Sequence, residues 1–214
     1  PSDSATGNEY FHTGADAIVA KPPESYPVAK LLAWYQDLLS RLEGPLIMYN
    51  IPSTTNVSIP LTVVAELAGH PMVAGIKDSE NDAKRMGELL RRFGDIPGFS
   101  IFVGVGALMA DGMKLGADGI VPSVGNLIPG VCKDLCASAK RGDWIGAGSH
   151  AARMKDVAAL YQHGRTLGQS LVALKAALHC RGLCAPHMLP PLVPLKAVEL
   201  EALRSEMSRL RLLD

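Results

Sequence analysis

Five short apolar runs, each closed by glycine, proline or a polar break, constrain this chain more than any other feature. They are Ala17–Ala20, Leu46–Ile51, Met72–Ile76, Ser100–Val105 and Gly119–Ser123. Each is too short for a helix, and each is separated from the next by a helical pattern. Between the first two, Val28, Leu31, Leu32, Trp34, Tyr35, Leu38, Leu39 and Leu42 form one apolar stripe that stops at Gly44-Pro45. Leu61 to Ala68 is a second helix, with Pro60 before it and Gly69 after it. A third carries Ala83, Met86, Leu89, Leu90 and Phe93 inward, is capped by Ser79 or Asn81, and ends at Gly94. Short strands apolar on both faces and alternating with helices predict a parallel sheet covered by helices. Gly14-Ala15-Asp16-Ala17-Ile18-Val19 is echoed by Gly116-Ala117-Asp118-Gly119-Ile120-Val121, a helix-ending glycine before a strand in both places. Beyond the fifth run the pattern is helical: 129–140, 144–162, 170–181 and, after the turn Leu189-Pro190-Pro191-Leu192, 196–212.

Parallel βα units close into an eight-stranded barrel or spread as an open sheet. No strand here is followed by Gly-x-Gly-x-x-Gly or by Gly-x-x-x-x-Gly-Lys-Ser/Thr, so a nucleotide-binding open sheet loses weight. In a barrel, reacting groups come from the C-terminal ends of the strands. Tyr49, Lys77, Gly104 and Val121 fall at such ends. Lys77 interrupts the apolar run Met72-Val73-Ala74-Gly75-Ile76 just before the break at Asp78-Ser79. A lysine in apolar surroundings is pushed toward its neutral amine, which attacks carbonyl carbon and forms Schiff bases. The plainer alternative is a lysine that reaches out to solvent. Tyr49, likewise, is either a reacting phenol or an aromatic filling the barrel.

Composition narrows the field. Of 214 residues, 48% are hydrophobic, enough for a sizeable core, and the formal net charge is zero. Without a basic cluster, nucleic acid is not an expected partner. No stretch is long and apolar enough to span a bilayer, so no membrane is expected either. Cys132/Cys136 and Cys180/Cys184 have helical spacing in Ala/Leu-rich sequence, which favours small buried thiols in a reducing, cytoplasmic compartment over zinc. The six histidines form no ligand-spaced pair, so no metal is expected. The charged helix with Glu199, Glu201, Arg204, Glu206, Arg209 and Arg211 reads as a solvated face or a subunit contact.

Tyr49-Asn50-Ile51-Pro52 on one strand and Gly75-Ile76-Lys77-Asp78-Ser79 on the next resemble the dihydrodipicolinate synthase and N-acetylneuraminate lyase family. The strand end at Gly104, the Gly119-Ile120-Val121 strand and Leu189-Pro190-Pro191 fit the same pattern, so the resemblance covers nearly the whole chain. It implies an α/β fold, a (β/α)8 TIM barrel, of which this chain holds the last five βα units plus C-terminal helices. The expected division is a partial barrel over 1–128 and a helical region over 129–214 packing on it. The resemblance also implies a class I aldolase-type lyase without a cofactor, a homo-oligomer (dimer or tetramer) acting on pyruvate or another 2-keto acid. Lys77 would carry the Schiff base, Tyr49 would relay protons, and Val121 would offer a backbone carbonyl near the reacting carbon. Ser53, Thr54 and Gly104 are the further expected substrate contacts.

The chain departs from the family in several places. Dihydrodipicolinate synthases have an arginine where Thr54 stands, and a double tyrosine where this chain has about Pro23-Glu24, with Tyr26 out of register. The acidic pair that neuraminate lyases place after their glycine is not found in Gly104-Val105-Gly106-Ala107. The expected activity is therefore nearer to a 2-keto-3-deoxy sugar acid aldolase. The two named synthase and lyase activities, and a non-catalytic binding role, are alternatives. Five strands cannot close a cylinder, so roughly 80 to 90 residues before Pro1 are expected, on a barrel of about 250 residues or more. They would bring three βα units and a hydroxyl pair for the substrate carboxylate; failing them, Ser53, Thr54 and Thr55 would have to hold it.

Overall fold

A computed structural model describes residues 4–213. The chain divides into two compact units between Pro122 and Ser123. The first opens with α1 (Ser4–His12), β1 (Ile18–Ala20), α2 (Leu31–Leu39, entered through a 3-10 turn) and β2 (Leu46–Asn50). It continues through α3 (Pro52–Thr55), α4 (Leu61–Leu67), β3 (Val73–Asp78), α5 (Ala83–Phe93), β4 (Ser100–Val103), α6 (Met109–Lys114) and β5 (Gly119–Ile120). The five strands form one sheet in the order β1-β2-β3-β4-β5, every pair parallel. Sequential parallel strands joined by helices are the βα units of a TIM barrel.

The pleat sorts the side chains. Ile18, Ala20, Leu46, Met48, Ile76, Ile101 and Val103 are buried on the helix-covered face. Burying a Leu, Ile, Val or Met side chain contributes about 1.5–3 kcal/mol, and this face is the sheet's share of the unit's core. Leu31, Tyr35 and Leu38 of α2, Val64 and Leu67 of α4, and Met86, Leu89, Leu90 and Phe93 of α5 complete it. The alternate positions, Val19, Ile47, Tyr49, Lys77 and Phe102, line the opposite face and are half-buried or exposed.

β3 keeps this arrangement only through an irregularity. Leu46 pairs with Val73 but Ile47 pairs with Gly75, so Ala74 is an extra residue. A one-residue slip moves every later side chain to the other face. Counted from the buried Val73 by simple alternation, Lys77 would point among the helices; the bulge turns Ile76 there instead and sends Lys77 to the open face. Gly75 makes the bulge possible. Its φ is +153°, and a Cβ built on it would lie 2.1 Å from the Ser100 carbonyl oxygen on β4. Gly75→Ala is expected to destabilise the protein by about 2 kcal/mol. A chemical denaturation midpoint checks this; an unchanged midpoint would mean that β3 and β4 have room to part.

The structure corrects several expected details. The cap of α5 is Asp82, whose carboxylate accepts from the backbone N–H groups of Lys84 and Arg85, not Ser79 or Asn81. Ala83 is exposed rather than inward. β4 ends at Val103 and β5 at Ile120, both shorter than expected. α3 was not expected, being one turn started by Pro52 and ended by left-handed Asn56.

The second unit is helical: α7 (Pro129–Lys140), α8 (Trp144–Gln162), α9 (Leu167–Cys180) and α10 (Ala197–Arg209). Leu135, Met154, Val157, Tyr161, Val172, Leu203 and Met207 form its core together with five buried alanines, among them Ala147, Ala173 and Ala177. Asp143 caps α8 through the Gly146 N–H. α9 begins three residues before the expected Ser170, because Thr166 and Gln169 form a reciprocal capping box there. The four cysteines are not joined in disulfides, and Cys132 is buried. Among the described residues no group of three or more His, Cys, Asp or Glu could hold a metal ion. No described helix is long and apolar enough to cross a membrane.

Candidate active site

Parallel pairing puts Tyr49 directly beside Lys77, and Lys77 beside Phe102. All three project from the open face of the sheet, near the C-terminal ends of their strands. The Lys77 Nζ rests 4.0 Å from the centroid of the Tyr49 ring, on its electron-rich face. With Val19, Ile47 and Val121 these residues line an open cleft of about 330 Å³. Among the described residues its walls are almost wholly apolar apart from one amine and one phenol. That combination suits a small carbonyl compound, with the amine as nucleophile and the phenol as proton carrier.

The structure therefore brings Lys77, Tyr49 and Val121 together. It places the other expected residues elsewhere. Ser53 is exposed on α3. Thr54, next to it, has its hydroxyl buried without a hydrogen-bond partner. Thr55 is fully buried; its hydroxyl faces the carbonyls of Ile51 and Val57, 3.0 Å from each, and closes the α3 turn. Gly104 follows β4 and donates its N–H to the Asp78 carbonyl at 2.8 Å. A Cβ on Gly104 would meet the Ser79 Oγ at 2.0 Å, so glycine here allows two chain segments to approach. None of these four lines the cleft.

Two features escaped sequence reasoning. Tyr35 of α2 is fully buried, with its hydroxyl beside the backbone of Tyr49 but without completing a hydrogen bond. Burial pushes its phenol well above the usual tyrosine range, only partly offset by that backbone, so it stays neutral behind the site. The second feature is a polar cluster on the helix side of the β2 and β3 ends. Asn50 Nδ2 donates to Asp78 Oδ2 and to Glu80 Oε2, both at 3.0 Å. Arg85 Nε donates to Asp78 Oδ2 at 2.9 Å and lies 3.2 Å from Glu80 Oε2. Ser58 Oγ donates to Glu80 Oε2 at 2.6 Å. The sequence signal was present in Asn50-Ile51-Pro52 and Lys77-Asp78-Ser79-Glu80, where polar residues directly follow apolar strands.

The sequence profile of the Dihydrodipicolinate synthetase family matches residues 4–210. The chain belongs to that family. An uncharacterised DapA-like lyase of Halobacterium salinarum is 29% identical over 202 residues, covering 94% of this chain and 64% of its own length. A 4-hydroxy-tetrahydrodipicolinate synthase of Xylella fastidiosa is 35% identical over 143 residues, covering 65% of this chain and 46% of its own length. The chain thus spans less than two thirds of the length of these curated relatives. Among solved structures, dihydrodipicolinate synthase from Bacteroides thetaiotaomicron superposes with a TM-score of 0.89 at 27% identity, covering 96% of this chain and 70% of that one. The enzyme from Acinetobacter baumannii, solved with pyruvate, gives a TM-score of 0.85 at 25% identity, covering 98% of this chain and 70% of that one.

Proposed function

We propose that the protein is a class I lyase or aldolase of the dihydrodipicolinate synthetase family, acting on a 2-keto acid through a Schiff base on Lys77. The observation that carries this reading is the register pairing of Lys77 with Tyr49, amine over phenol, in an apolar cleft at the strand ends. The amine adds to the keto carbon and water leaves, giving an iminium. In cleavage the electrons of the bond between the carbon next to the iminium and the following, hydroxyl-bearing carbon pass into the iminium, leaving an enamine and releasing an aldehyde. Tyr49 moves the proton from the departing hydroxyl and returns one to the enamine carbon. Hydrolysis then frees the keto acid and the amine. The reverse sequence makes the bond. Neither direction has a step that needs a metal or an organic cofactor. The Val121 carbonyl is read as a contact to the substrate near the reacting carbon. Ser53, Thr54 and Gly104 remain candidate substrate contacts from beyond the cleft wall. The same reading carries a cytoplasmic location and a homo-oligomer, dimer or tetramer.

For substrate we favour 2-keto-3-deoxy sugar acids. Thr54 has no charge and cannot make the bidentate contact an arginine gives a second carboxylate. Little or no condensation of pyruvate with aspartate semialdehyde is expected, against measurable cleavage of at least one 2-keto-3-deoxy sugar acid. An aldehyde-release assay across that series, beside the condensation assay, tests both halves. Robust condensation would show that another group binds the second carboxylate.

Thr54 and the missing double tyrosine also favour a second reading, a barrel that binds a keto acid without turning it over. Cleavage of any member of the series rejects it.

A further inference from the structure

The residue after each reacting side chain is polar and buried. Asn50 is fully buried and Asp78 is 7% exposed. They pair in register as Tyr49 and Lys77 do, one position later and on the opposite face of the sheet. Buried polar groups are costly unless their hydrogen bonds are met, and an apolar pair would cover this face at less cost. Here the bonds are met. The Asn50 carboxamide donates to Asp78 and Glu80, and its oxygen accepts the Ile59 N–H at 3.0 Å. The Asp78 carboxylate takes Asn50 and Arg85 on one oxygen and the Glu80 N–H, at 2.9 Å, on the other. Backbone bonds continue the tie, from Ser79 N–H to the Asn50 carbonyl and from Gly104 N–H to the Asp78 carbonyl, each 2.8 Å. The ends of β2 and β3, the segment after α3, the start of β4's loop and α5 are thus joined at one point, directly behind the cleft. Arg85 Nη2 is buried without a partner, but the bonds of Asn50 and Asp78 themselves are met, and a buried network of this kind fixes geometry more than it adds stability.

We propose that Asn50 and Asp78 are positioning residues: together they lock the ends of β2 and β3 so that the Lys77 amine is held over the Tyr49 ring. The proposal rests on the reading of Lys77 and Tyr49 as the reacting pair. Neither Asn50 nor Asp78 reaches the cleft, so both act through the side chain one residue back. A displacement of about 1 Å at a reacting group can cost about 100-fold in rate, which gives such a lock a reason to exist.

The test is Asp78→Asn, which keeps the shape but replaces an acceptor oxygen by a donor that faces either Asn50 and Arg85 or the Glu80 N–H. In protein labelled with 13C-lysine, ring current from Tyr49 should place the Lys77 ε-methylene protons upfield of the other lysines; Lys77→Arg assigns the signal. Asp78→Asn is expected to move that signal toward the other lysines. It is also expected to lower kcat for 2-keto acid cleavage by ~10-fold or more, with KM changed by less than ~3-fold. In a Tyr49→Phe background the same substitution should cost much less in kcat, since the geometry it protects is already without a proton carrier. A general loss of folded protein would cost the same in both backgrounds. If Asp78→Asn does not fold, Glu80→Gln, at a side chain 26% exposed, is read in the same way. A folded variant with an unmoved Lys77 signal, or with equal kcat losses in both backgrounds, overturns the proposal. The two readings fail separately. A signal that moves in a protein whose parent forms no pyruvate adduct supports the lock and sinks the chemistry. An unmoved signal in a protein whose parent does form the adduct sinks the lock alone.

Discussion

Lys77→Ala is expected to lower turnover of the 2-keto acid substrate by ~1,000-fold or more, the scale on which removing a covalent nucleophile acts. Among the described residues no other amine lines the cleft, so none of them can replace it. Lys77→Arg should not restore activity, because a guanidinium stays protonated and does not form Schiff bases. The fold should survive both changes. Lys77 is half-buried on the open face, its hydrogen bonds to β2 and β4 are made by the backbone, and the ring of Tyr49 remains. A stability change within about 1 kcal/mol is expected. Steady-state kinetics beside a denaturation midpoint reads both. A Lys77→Ala protein with near-parent turnover would mean that the cleft amine is a packing group.

The second large effect belongs to Tyr49. Tyr49→Phe removes one hydroxyl and keeps the ring beneath the Lys77 amine, 4.0 Å away. The Schiff base should still form, since addition of the amine needs the nucleophile and an open cleft. The steps that follow need a proton moved at a fixed place, and loss of the phenol should slow turnover by roughly 100-fold or more. Single-turnover measurements separate the two: adduct formation close to the parent's, product release of the aldehyde far slower. Equal slowing of both would make Tyr49 a group that shapes the cleft rather than one that carries protons. Comparable rates in parent and variant would leave it as wall.

The proposed reacting pair was legible because it breaks a pattern. A lysine at the end of an otherwise apolar strand costs free energy unless it has a use, and its neighbour strand ends in a tyrosine at the matching place. Helices with a clear apolar stripe, such as α2 and α5, were legible for the same reason of periodicity. The bulge at Ala74 and Gly75 was not. Local sequence does not reveal that two residues of β3 oppose one residue of β2, and yet the bulge decides which face Lys77 takes. The cluster of Asn50, Ser58, Asp78, Glu80 and Arg85 was hard to assemble because its members come from four separate stretches and meet only when the strands pair. Thr54 and Gly104 were read from position in a motif. The fold puts the buried hydroxyl of one and the close backbone approach of the other outside the cleft.

The Schiff base itself can be seen without knowing the final substrate. The native protein is incubated with pyruvate and reduced with borohydride, then digested and mapped by mass spectrometry. One reduced pyruvate adduct per chain, on the peptide carrying Lys77 and dependent on both reagents, is the expected result. No adduct, or adducts scattered over surface lysines with none favoured at Lys77, would contradict the reading of this cleft as a Schiff-base site.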